Sequence, residues 1–330
     1  MERNIEKPQP FIPEKINDSF AGKDILSLDQ FTPDAISHLF EVARHMRVIS
    51  DNALADQTLG GNLTTLLFYE PSSRTRGSFE GAIKQLGGQT IVVENPQQFS
   101  SVSKGETFDD TVRTFEAYCD LIVLRHPNIG AASAAAEIVK VPVVNAGDGI
   151  GEHPTQALLD LFTIHEHAGK LSNVTGVVGG DIKNGRTIHS LLRGLSLYEG
   201  NTINIISPSE LGLSKEEKDK YEKRGVTINI LESIEEIPKD ADFWYWTRVQ
   251  KERFKDDSEY ERLKNNFIVT EENFNRLAGE RTGLMHPLPR VGEIDPALDK
   301  DLRSLYLRSQ VRNGMYIRMA LLSMVLGKIR

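Results

Sequence analysis

The sequence predicts an α/β fold of two similar, doubly wound parallel-sheet domains, with a ligand site in the cleft between them. Three observations support this prediction. The chain has 330 residues, which is enough for two domains of about 150 residues each. Short apolar runs alternate with amphipathic stretches, as they do in successive βαβ units. The alternation breaks once, near residues 151–154, and then restarts.

The first half of the chain is predicted to form four strands with helices between them. The predicted strands are Leu63–Tyr69, Thr90–Val93, Leu121–Arg125 and Val141–Asn145. The predicted helices are Thr75–Leu86, Thr107–Tyr118 and Ala131–Val139. In the first of these helices Phe79, Ile83 and Leu86 recur at helical spacing. These elements make up a parallel sheet covered by helices.

The second half repeats the pattern after a connecting helix. Pro154–His167 begins with proline, which suits the first position of a helix. The predicted strands are Val174–Gly179, Thr202–Ile206, Val226–Leu231 and Asp242–Thr247, and the predicted helices are Arg186–Tyr198 and Lys215–Arg224. A last helix, Met315–Leu326, is apolar on most sides, so we expect it to dock into a core.

Composition and charge exclude several classes of protein. The 39 basic and 47 acidic residues give a net charge of −8, so the chain has no overall attraction to nucleic acid. The single cysteine, Cys119, permits no disulfide within the chain and suits a reducing cytoplasm. The N-terminus lacks a signal-peptide core, and the apolar runs are too short to span a membrane. We expect a cytoplasmic protein that binds neither membranes nor nucleic acid.

The strongest local signal is the segment 68–80, where a predicted strand meets a predicted helix. Backbone N–H groups at a helix start favour an anion. Ser72, Ser73 and Thr75 add hydroxyl donors, and Arg74 adds a planar fork that suits phosphate. The segment lacks the Walker pattern of a nucleotide-binding loop. From these residues alone, a phosphate site and an ordinary helix cap with solvated arginines both remain open.

Other polar side chains follow strands or precede helices. Arg125 and Arg248 each come after an apolar strand, and ligands of parallel sheets bind at that end. Both could instead be solvated strand ends. His153 could merely cap or pack against its helix, and Arg186 could simply pair with Asp181. The eight histidines show no H-E-x-x-H spacing, so we expect no metal site and no cofactor.

Eight segments together resemble one known family. The segment 68–80 is similar to the carbamoyl-phosphate signature of the aspartate and ornithine carbamoyltransferases. Further segments agree with that family in the same order, at residues 104–107, 124–127, 145–149, 153–161, 181–187, 247–250 and 286–290. The resemblance runs from about residue 20 to the end of the chain, which is too extensive for coincidence.

The resemblance implies a domain organisation and a reaction. Residues 1–153 would bind carbamoyl phosphate, and a C-terminal helix at about 312–330 would complete that domain. Residues 154–311 would bind aspartate, with the active site in the cleft between the domains. The reaction would transfer the carbamoyl group to the amine of L-aspartate, giving N-carbamoyl-L-aspartate and phosphate, an early step of pyrimidine biosynthesis.

The resemblance also implies a role for each matched residue. The phosphate would be held by Ser72, Ser73, Arg74 and Thr75, with Arg74 stabilising it as it leaves. The carbonyl oxygen would be polarised by Thr75, Arg125 and His153. The carbamoyl amide would be held by Gln156 and the backbone near Leu288. Aspartate would be bound by Lys104, Arg186, Arg248, Gln250 and Pro289.

The acceptor is predicted to be aspartate rather than ornithine. Residues 286–290 read His-Pro-Leu-Pro-Arg, where the ornithine enzymes typically carry His-Cys-Leu-Pro, and their Ser-Met-Gly segment is absent. Residues 247–253 resemble the aspartate enzymes. Arg186 and Arg248 could each bind one carboxylate of aspartate, and they would repel the cationic side chain of ornithine. Another amino acid acceptor, a nucleotide-binding dehydrogenase and a non-catalytic partner subunit remain as weaker alternatives.

A polar loop at residues 99–106 predicts an oligomer. In the family this loop reaches into the active site of the neighbouring subunit, and Lys104 matches the lysine that contacts both substrates. Ser100 is the matching carbamoyl-phosphate ligand, although Ser101 also qualifies. The resemblance therefore implies a homotrimer with shared sites. A regulatory chain or a dihydroorotase is a possible further partner.

Overall fold

The chain forms two parallel β-sheets flanked by helices. The computed structural model describes residues 13–17, 19–250, 254, 256–263 and 268–329. All strand pairs within the two sheets are parallel. The predicted α/β fold with two doubly wound sheets is therefore confirmed. Within the described residues, no helix combines the length and the apolar character needed to span a membrane.

The first sheet comprises the four predicted strands of the N-terminal half. They are β1 (Leu63–Phe68), β2 (Gln89–Glu94), β3 (Leu121–His126) and β4 (Val143–Asp148). Their helices are α1 (Pro33–Asp51), α2 (Ser73–Gln85), α3 (Pro96–Phe99), α4 (Phe108–Glu116) and α5 (Ala131–Ile138). The strand order is β2-β1-β3-β4, and Phe68 lies beside Arg125. The chain changes direction across the sheet between β1 and β3, which opens a crevice at their carboxyl ends.

The second sheet has five strands. They are β5 (Thr175–Gly179), β6 (Thr202–Ile206), β7 (Thr227–Leu231), β8 (Phe243–Trp246) and β9 (Gly283–Met285). Its helices are α7 (Arg186–Leu195), α8 (Lys215–Glu222), α9 (Asp257–Leu263) and α10 (Glu271–Leu277). The strand order is β7-β6-β5-β8-β9, so the crevice of this sheet lies between β5 and β8. Both crevices therefore follow from strand order alone.

Two long helices connect the sheets. They are α6 (Pro154–Ala168) and α11 (Val311–Val325). Helix α11 packs against α1, α2 and α6, and α6 in turn packs against α7. A single apolar cluster runs through these helices, with Phe79, Leu158, Leu191 and Leu321 fully buried in it. The two halves therefore share a continuous core, and the domain boundaries at residues 153 and 311 stay a prediction.

The predicted strands and helices are all present, with ends that shift by a few residues. Five of the described elements were missed, namely α1, α3, α9, α10 and β9. Helix α1 carried a clear signal, because Ile36, Leu39, Ala43 and Met46 recur at helical spacing and are buried. The Thr32 side chain also caps its first turn. Strand β9 has three residues, which is too short for a periodic pattern to identify.

Candidate active site

A cavity of about 690 Å³ opens where the carboxyl ends of the two sheets face each other. Its wall combines Arg125 at the end of β3 and residues that follow β1, β8 and β9 with the starts of α2, α6 and α7. The predicted site residues in this wall are Ser72, Ser73, Arg74, Thr75, Arg125, His153, Gln156, Arg186, Arg248, Gln250, Leu288 and Pro289. The structure therefore brings together most of the predicted site from six separate segments.

Three helices begin at the cavity without a side-chain cap. The residues that precede α2, α6 and α7 are Ser72, His153 and Gly185. The side chains of Ser72 and His153 accept no hydrogen bond from the first turn, and glycine has no side chain to do so. None of these first turns contains an acidic residue. By contrast, α1, α4, α8 and α10 have capping side chains. The first-turn N–H groups and the helix dipoles therefore favour an anion in the cavity.

The charged side chains of the cavity are mainly arginines. They are Arg74, Arg125, Arg186, Arg248 and Arg318, and Glu70 is the only acidic side chain among the described residues of the wall. The Glu70 carboxylate lies 3.5 Å from Arg125 and 3.7 Å from Arg186. Within the described part of the chain, no three His, Cys, Asp or Glu side chains are grouped as metal ligands. The cavity suits a ligand with several negative charges.

The electrostatic environment of the arginines reflects this crowding. Burial, with the charge of Arg186, lowers the pKa of Arg125 to about 10, so its guanidinium stays protonated at neutral pH. Burial and the charge of Arg248 lower the pKa of Arg74. A bound anion would relieve the repulsion between these guanidinium groups. The site is therefore prepared for anions before any ligand is bound.

The end of β4 anchors two of these arginines. Arg125 Nη1 donates to the carbonyl oxygen of Ala146 at 3.3 Å, and Arg186 Nη1 donates to that of Gly149 at 2.7 Å. Between them Gly147 has a φ of +117°, and a Cβ there would lie 3.2 Å from Arg125 Nη1 and 3.3 Å from Arg186 Nη1. Glycine meets both requirements, because it adopts positive φ easily and leaves room for both guanidinium groups.

His153 is buried between the arginines at the start of α6. His153 is only 3% exposed, and its backbone N–H donates to Ser190 Oγ at 3.2 Å. Burial, together with the charges of Arg186 and Arg125, holds the pKa of His153 well below its usual range. The imidazole is therefore neutral at physiological pH. A neutral imidazole can donate one hydrogen bond to a carbonyl oxygen.

A buried carboxylate aligns the second half of the site. Asp181 accepts hydrogen bonds from the backbone N–H groups of Asn184 at 3.1 Å and Gln250 at 3.4 Å. The Gln250 amide also donates to the carbonyl oxygen of Asn184 at 2.9 Å. These bonds bring the start of α7 beside the segment after β8, and Arg186 and Arg248 both line the cavity there. Residues 251–253 of the acceptor motif lie outside the described residues.

His286 shapes the segment that carries Leu288. Its Nδ1 accepts the N–H of Leu288 at 2.7 Å, and its Nε2 lies 2.6 Å from Glu293 Oε1. Burial lowers the pKa of His286, and the two contacts together place the proton on Nε2. Both ring nitrogens of His286 are therefore engaged within the protein, where they hold the backbone of the Leu288 segment. Leu288 and Pro289 both face the cavity.

The loop predicted to reach a neighbouring subunit lies apart from this cavity. Ser100 Oγ donates to the carbonyl oxygen of Pro96 at 2.7 Å and accepts the N–H of Val102 at 3.2 Å. Lys104 is exposed, and neither Ser100 nor Lys104 belongs to the described cavity wall. In a single chain this placement agrees with a role in another subunit, but that role stays a prediction.

Sequence reasoning missed several residues in or beside the cavity, among them Glu70, Arg318, Gln310 and Asp160. Glu70 lies within the first motif, but it received no role. Arg318 is 3% exposed and donates to Ser78 Oγ at 3.0 Å, and burial lowers its pKa to about 10. The available signal was an arginine within the largely apolar stretch 315–326. Asp160 lies behind the wall and is fully buried.

Two family models match the chain. The model described as "Aspartate/ornithine carbamoyltransferase, carbamoyl-P binding domain" matches residues 23–166. The model described as "Aspartate/ornithine carbamoyltransferase, Asp/Orn binding domain" matches residues 172–325. Together the two matches cover nearly all of the described chain.

Individual proteins agree with the family models. The chain is 43% identical over 309 residues to the aspartate carbamoyltransferase catalytic subunit of Methanopyrus kandleri, covering 94% of this chain and 99% of that protein. It is 44% identical over 311 residues to the multifunctional protein pyr1-3 of Dictyostelium discoideum, covering 94% of this chain and 14% of that protein. The solved aspartate transcarbamoylase from Trypanosoma cruzi, in complex with carbamoyl phosphate and aspartate, has a TM-score of 0.86 and 37% identity, covering 93% of this chain and 98% of that one.

Proposed function

The chain belongs to the aspartate/ornithine carbamoyltransferase family, and we propose that it transfers the carbamoyl group of carbamoyl phosphate to the amine of L-aspartate. The products are N-carbamoyl-L-aspartate and phosphate, and the reaction is an early step of pyrimidine biosynthesis. One observation carries the proposal. Five arginines and three uncapped helix starts surround a cavity with a single acidic side chain in its described wall. The two substrates together bring one phosphate and two carboxylates.

The start of α2 is the proposed phosphate site. Its first-turn N–H groups, the hydroxyls of Ser72, Ser73 and Thr75, and the Arg74 guanidinium all lie in the cavity wall. Charge-assisted hydrogen bonds from such groups are stronger than neutral ones. Negative charge grows on the phosphate as its bond to the carbamoyl carbon breaks, so Arg74 contributes most at that stage.

The carbamoyl group is placed beside this phosphate site. Thr75, Arg125 and His153 donate to its carbonyl oxygen, which becomes an oxyanion when the amine attacks. Gln156 and the backbone at Leu288 hold its amide. Because His153 is neutral, it polarises the carbonyl oxygen without adding a sixth cation to the cavity.

Aspartate is bound by the second sheet. Arg186 and Arg248 each take one carboxylate, and Gln250 and Pro289 complete the acceptor side. Ornithine would bring an ammonium group to the same place. Glu70 is already near Arg125 and Arg186, so the described wall offers no uncommitted carboxylate to balance that cation.

The chemical steps follow from this placement. The neutral amine of aspartate attacks the carbamoyl carbon, and the electron pair of the carbonyl bond moves to oxygen. The tetrahedral intermediate collapses, the carbon–oxygen bond to phosphate breaks, and phosphate leaves with that electron pair. A phosphate oxygen accepts the proton that the amine loses, so no protein base is required. The protein supplies position and charge.

The assembly and location are part of the same proposal. Residues 1–153 with 312–330 form the carbamoyl-phosphate domain, and residues 154–311 form the aspartate domain. A cytoplasmic homotrimer would bring Ser100 and Lys104 of one subunit to the cavity of the next. A dihydroorotase or a regulatory chain is the further partner of this proposal, and in the relative pyr1-3, a multifunctional protein, the matching region is 14% of a much longer chain.

A transfer assay tests the activity. The purified chain is incubated with carbamoyl phosphate and either L-aspartate or L-ornithine, and the ureido product is measured by colour. We expect product with aspartate alone. Product with ornithine alone would contradict the acceptor assignment and leave the carbamoyl-phosphate site intact. No product with either acceptor would contradict the proposed reaction.

A further inference from the structure

A buried carboxylate lies directly behind the carbamoyl side of the cavity. Asp160 belongs to α6, one turn beyond Gln156, and it is fully buried. Its Oδ1 accepts hydrogen bonds from Gln156 Nε2 at 3.0 Å and from Gln310 Nε2 at 2.7 Å. Its Oδ2 accepts the hydroxyl of Tyr245 at 2.8 Å. Both glutamines face the cavity, whereas Asp160 does not.

These contacts determine which end of each amide points at the carboxylate. A carboxylate oxygen accepts hydrogen bonds, so both glutamines turn their NH₂ groups toward Asp160. The carbonyl oxygen of Gln156 is then directed away from Asp160. The carbamoyl group carries an NH₂, which needs an acceptor. Gln156 can supply that acceptor only in this orientation.

The second glutamine extends the same arrangement to the Leu288 segment. Gln310 Oε1 accepts the backbone N–H of His286 at 2.9 Å. His286 in turn accepts the N–H of Leu288 at 2.7 Å. Reversing the Gln310 amide would break its bonds at both ends. A single carboxylate therefore connects the two groups assigned to the carbamoyl amide, although they lie in distant parts of the sequence.

We propose that Asp160 is a positioning residue that orients the Gln156 amide as an acceptor for the carbamoyl NH₂ and holds the Leu288 segment through Gln310. This assignment rests on the proposed function, because it concerns the donor that function requires. Asp160 does not touch the substrate. It acts through the two amides, and the phosphate contacts at the start of α2 are independent of it.

This separation suggests a binding test with two ligands. Phosphonoacetamide carries both an amide and a phosphonate, whereas methylphosphonate carries the phosphonate alone. Dissociation constants are measured by calorimetry at pH 8 for the full chain and its variants. Asp160→Leu removes the acceptor at similar volume, and we expect about ten-fold weaker binding of phosphonoacetamide or more. Binding of methylphosphonate should stay within about two-fold, because its contacts lie elsewhere.

Two further variants identify the cause of any loss. Asp160→Asn keeps a carbonyl oxygen for both glutamines, and the Tyr245 hydroxyl can turn to accept from the new NH₂. We expect it to restore most of the phosphonoacetamide affinity. Thr163→Val is the matched control, since it removes the hydrogen bond from Asn313 in the same α6–α11 interface. It should leave both affinities unchanged.

A double-mutant cycle tests whether Asp160 acts through Gln156. In a Gln156→Met background, Asp160→Leu should cause a much smaller further loss of phosphonoacetamide affinity. Additive losses would contradict the assignment. If Asp160→Leu does not fold, Asp160→Ala replaces it in the same cycle.

The remaining outcomes are also decisive. Equal loss of both ligands in Asp160→Leu, or loss in Asp160→Asn as large as in Asp160→Leu, would overturn the positioning role. A wild-type chain that binds phosphonoacetamide but transfers nothing to aspartate would contradict the proposed function. The affinities of the Asp160 variants for the two ligands would then decide the Asp160 assignment by themselves. A wild-type chain that does not bind phosphonoacetamide would overturn both.

Discussion

Arg74 sits at the first turn of α2, where burial and the charge of Arg248 lower its pKa. A leaving phosphate beside Arg74 would offset the positive charge of its guanidinium. Arg74→Ala should therefore raise the activation free energy of carbamoyl transfer by about 2.7–4 kcal/mol or more, which is the cost of one lost oxyanion donor. The kcat of carbamoyl transfer at saturating substrates measures this effect. Arg76→Ala, in the same turn but paired with Glu80, is the control. A kcat near the wild-type value in Arg74→Ala would refute the assignment.

Arg248 follows β8 and belongs to the acceptor side of the cavity. One charge-assisted hydrogen bond is worth about 1.5–3 kcal/mol, so Arg248→Ala should raise the KM for aspartate about ten-fold or more. The KM for carbamoyl phosphate should change little. Initial rates over a range of each substrate separate the two constants. Arg276→Ala, which removes a surface pair with Glu235, should change neither constant. A large loss of carbamoyl-phosphate binding in Arg248→Ala would contradict the assignment of Arg248 to aspartate.

His153 predicts a dependence of stability on pH. Its pKa in the folded chain lies well below the ordinary value for histidine, because burial and the nearby arginines disfavour the imidazolium. Below about pH 6.5 the unfolded chain therefore binds a proton that the folded chain does not. The free energy of unfolding should therefore decrease as the pH is lowered through this range. In His153→Gln that contribution is absent. Urea unfolding between pH 8 and pH 5 measures the difference in the free energy of unfolding between the wild-type chain and His153→Gln. This difference should shrink as the pH falls, and a constant difference would contradict the prediction.

At the scale of elements, the second crevice depends on close approach of two strand ends. Gly180 follows β5 with a φ of +108°, and a Cβ there would collide with the carbonyl oxygen of Thr247 after β8. Gly180→Ala should therefore lower the free energy of unfolding by about 2 kcal/mol or more. It should also raise the KM for aspartate, because Arg248 is the next residue after Thr247. Urea unfolding and initial rates measure both effects.

Gly225 provides the matched control for that substitution. Its φ is +93°, but a Cβ at Gly225 would have no neighbour within 4 Å. Gly225→Ala should therefore cost only the backbone strain of about 1 kcal/mol, with no change in the aspartate KM. Equal effects at the two glycines would show that the close approach of β5 to β8 is not the reason why glycine is required at position 180.

Elements also show where sequence patterns succeed. The helices that begin at the cavity were placed within a few residues, since Pro154 marks the start of α6 and the apolar spacing of α2 is regular. The absence of caps on these helices was not predicted. A cap depends on where the side chain of the preceding residue points, as at Ser72, and that is a property of the folded backbone.

At the scale of the whole molecule, the shared site of the proposed homotrimer can be tested by mixing subunits. Lys104→Ala and His153→Ala should each be nearly inactive alone. In a cyclic assembly, a mixed ring contains one cavity with an intact His153 beside a subunit with an intact Lys104. Mixing the two variants under conditions that exchange subunits should therefore restore activity, measured as carbamoyl transfer. Mixing Arg74→Ala with His153→Ala is the control and should restore none, because both residues line the same chain's cavity. No recovery in the first mixture would contradict a shared site.

The sequence by itself determined the α/β class, the alternating elements and the family, and it predicted twelve of the residues that line the cavity. Periodicity and short motifs are local, so they can be read without the fold. Only the tertiary structure decided that Glu70 lies near Arg125 and Arg186, that Arg318 joins the wall, and that Asp160 connects Gln156 to Gln310. These contacts join residues far apart in the chain. They depend on strand order and on the packing of α6 with α11, which no local pattern encodes.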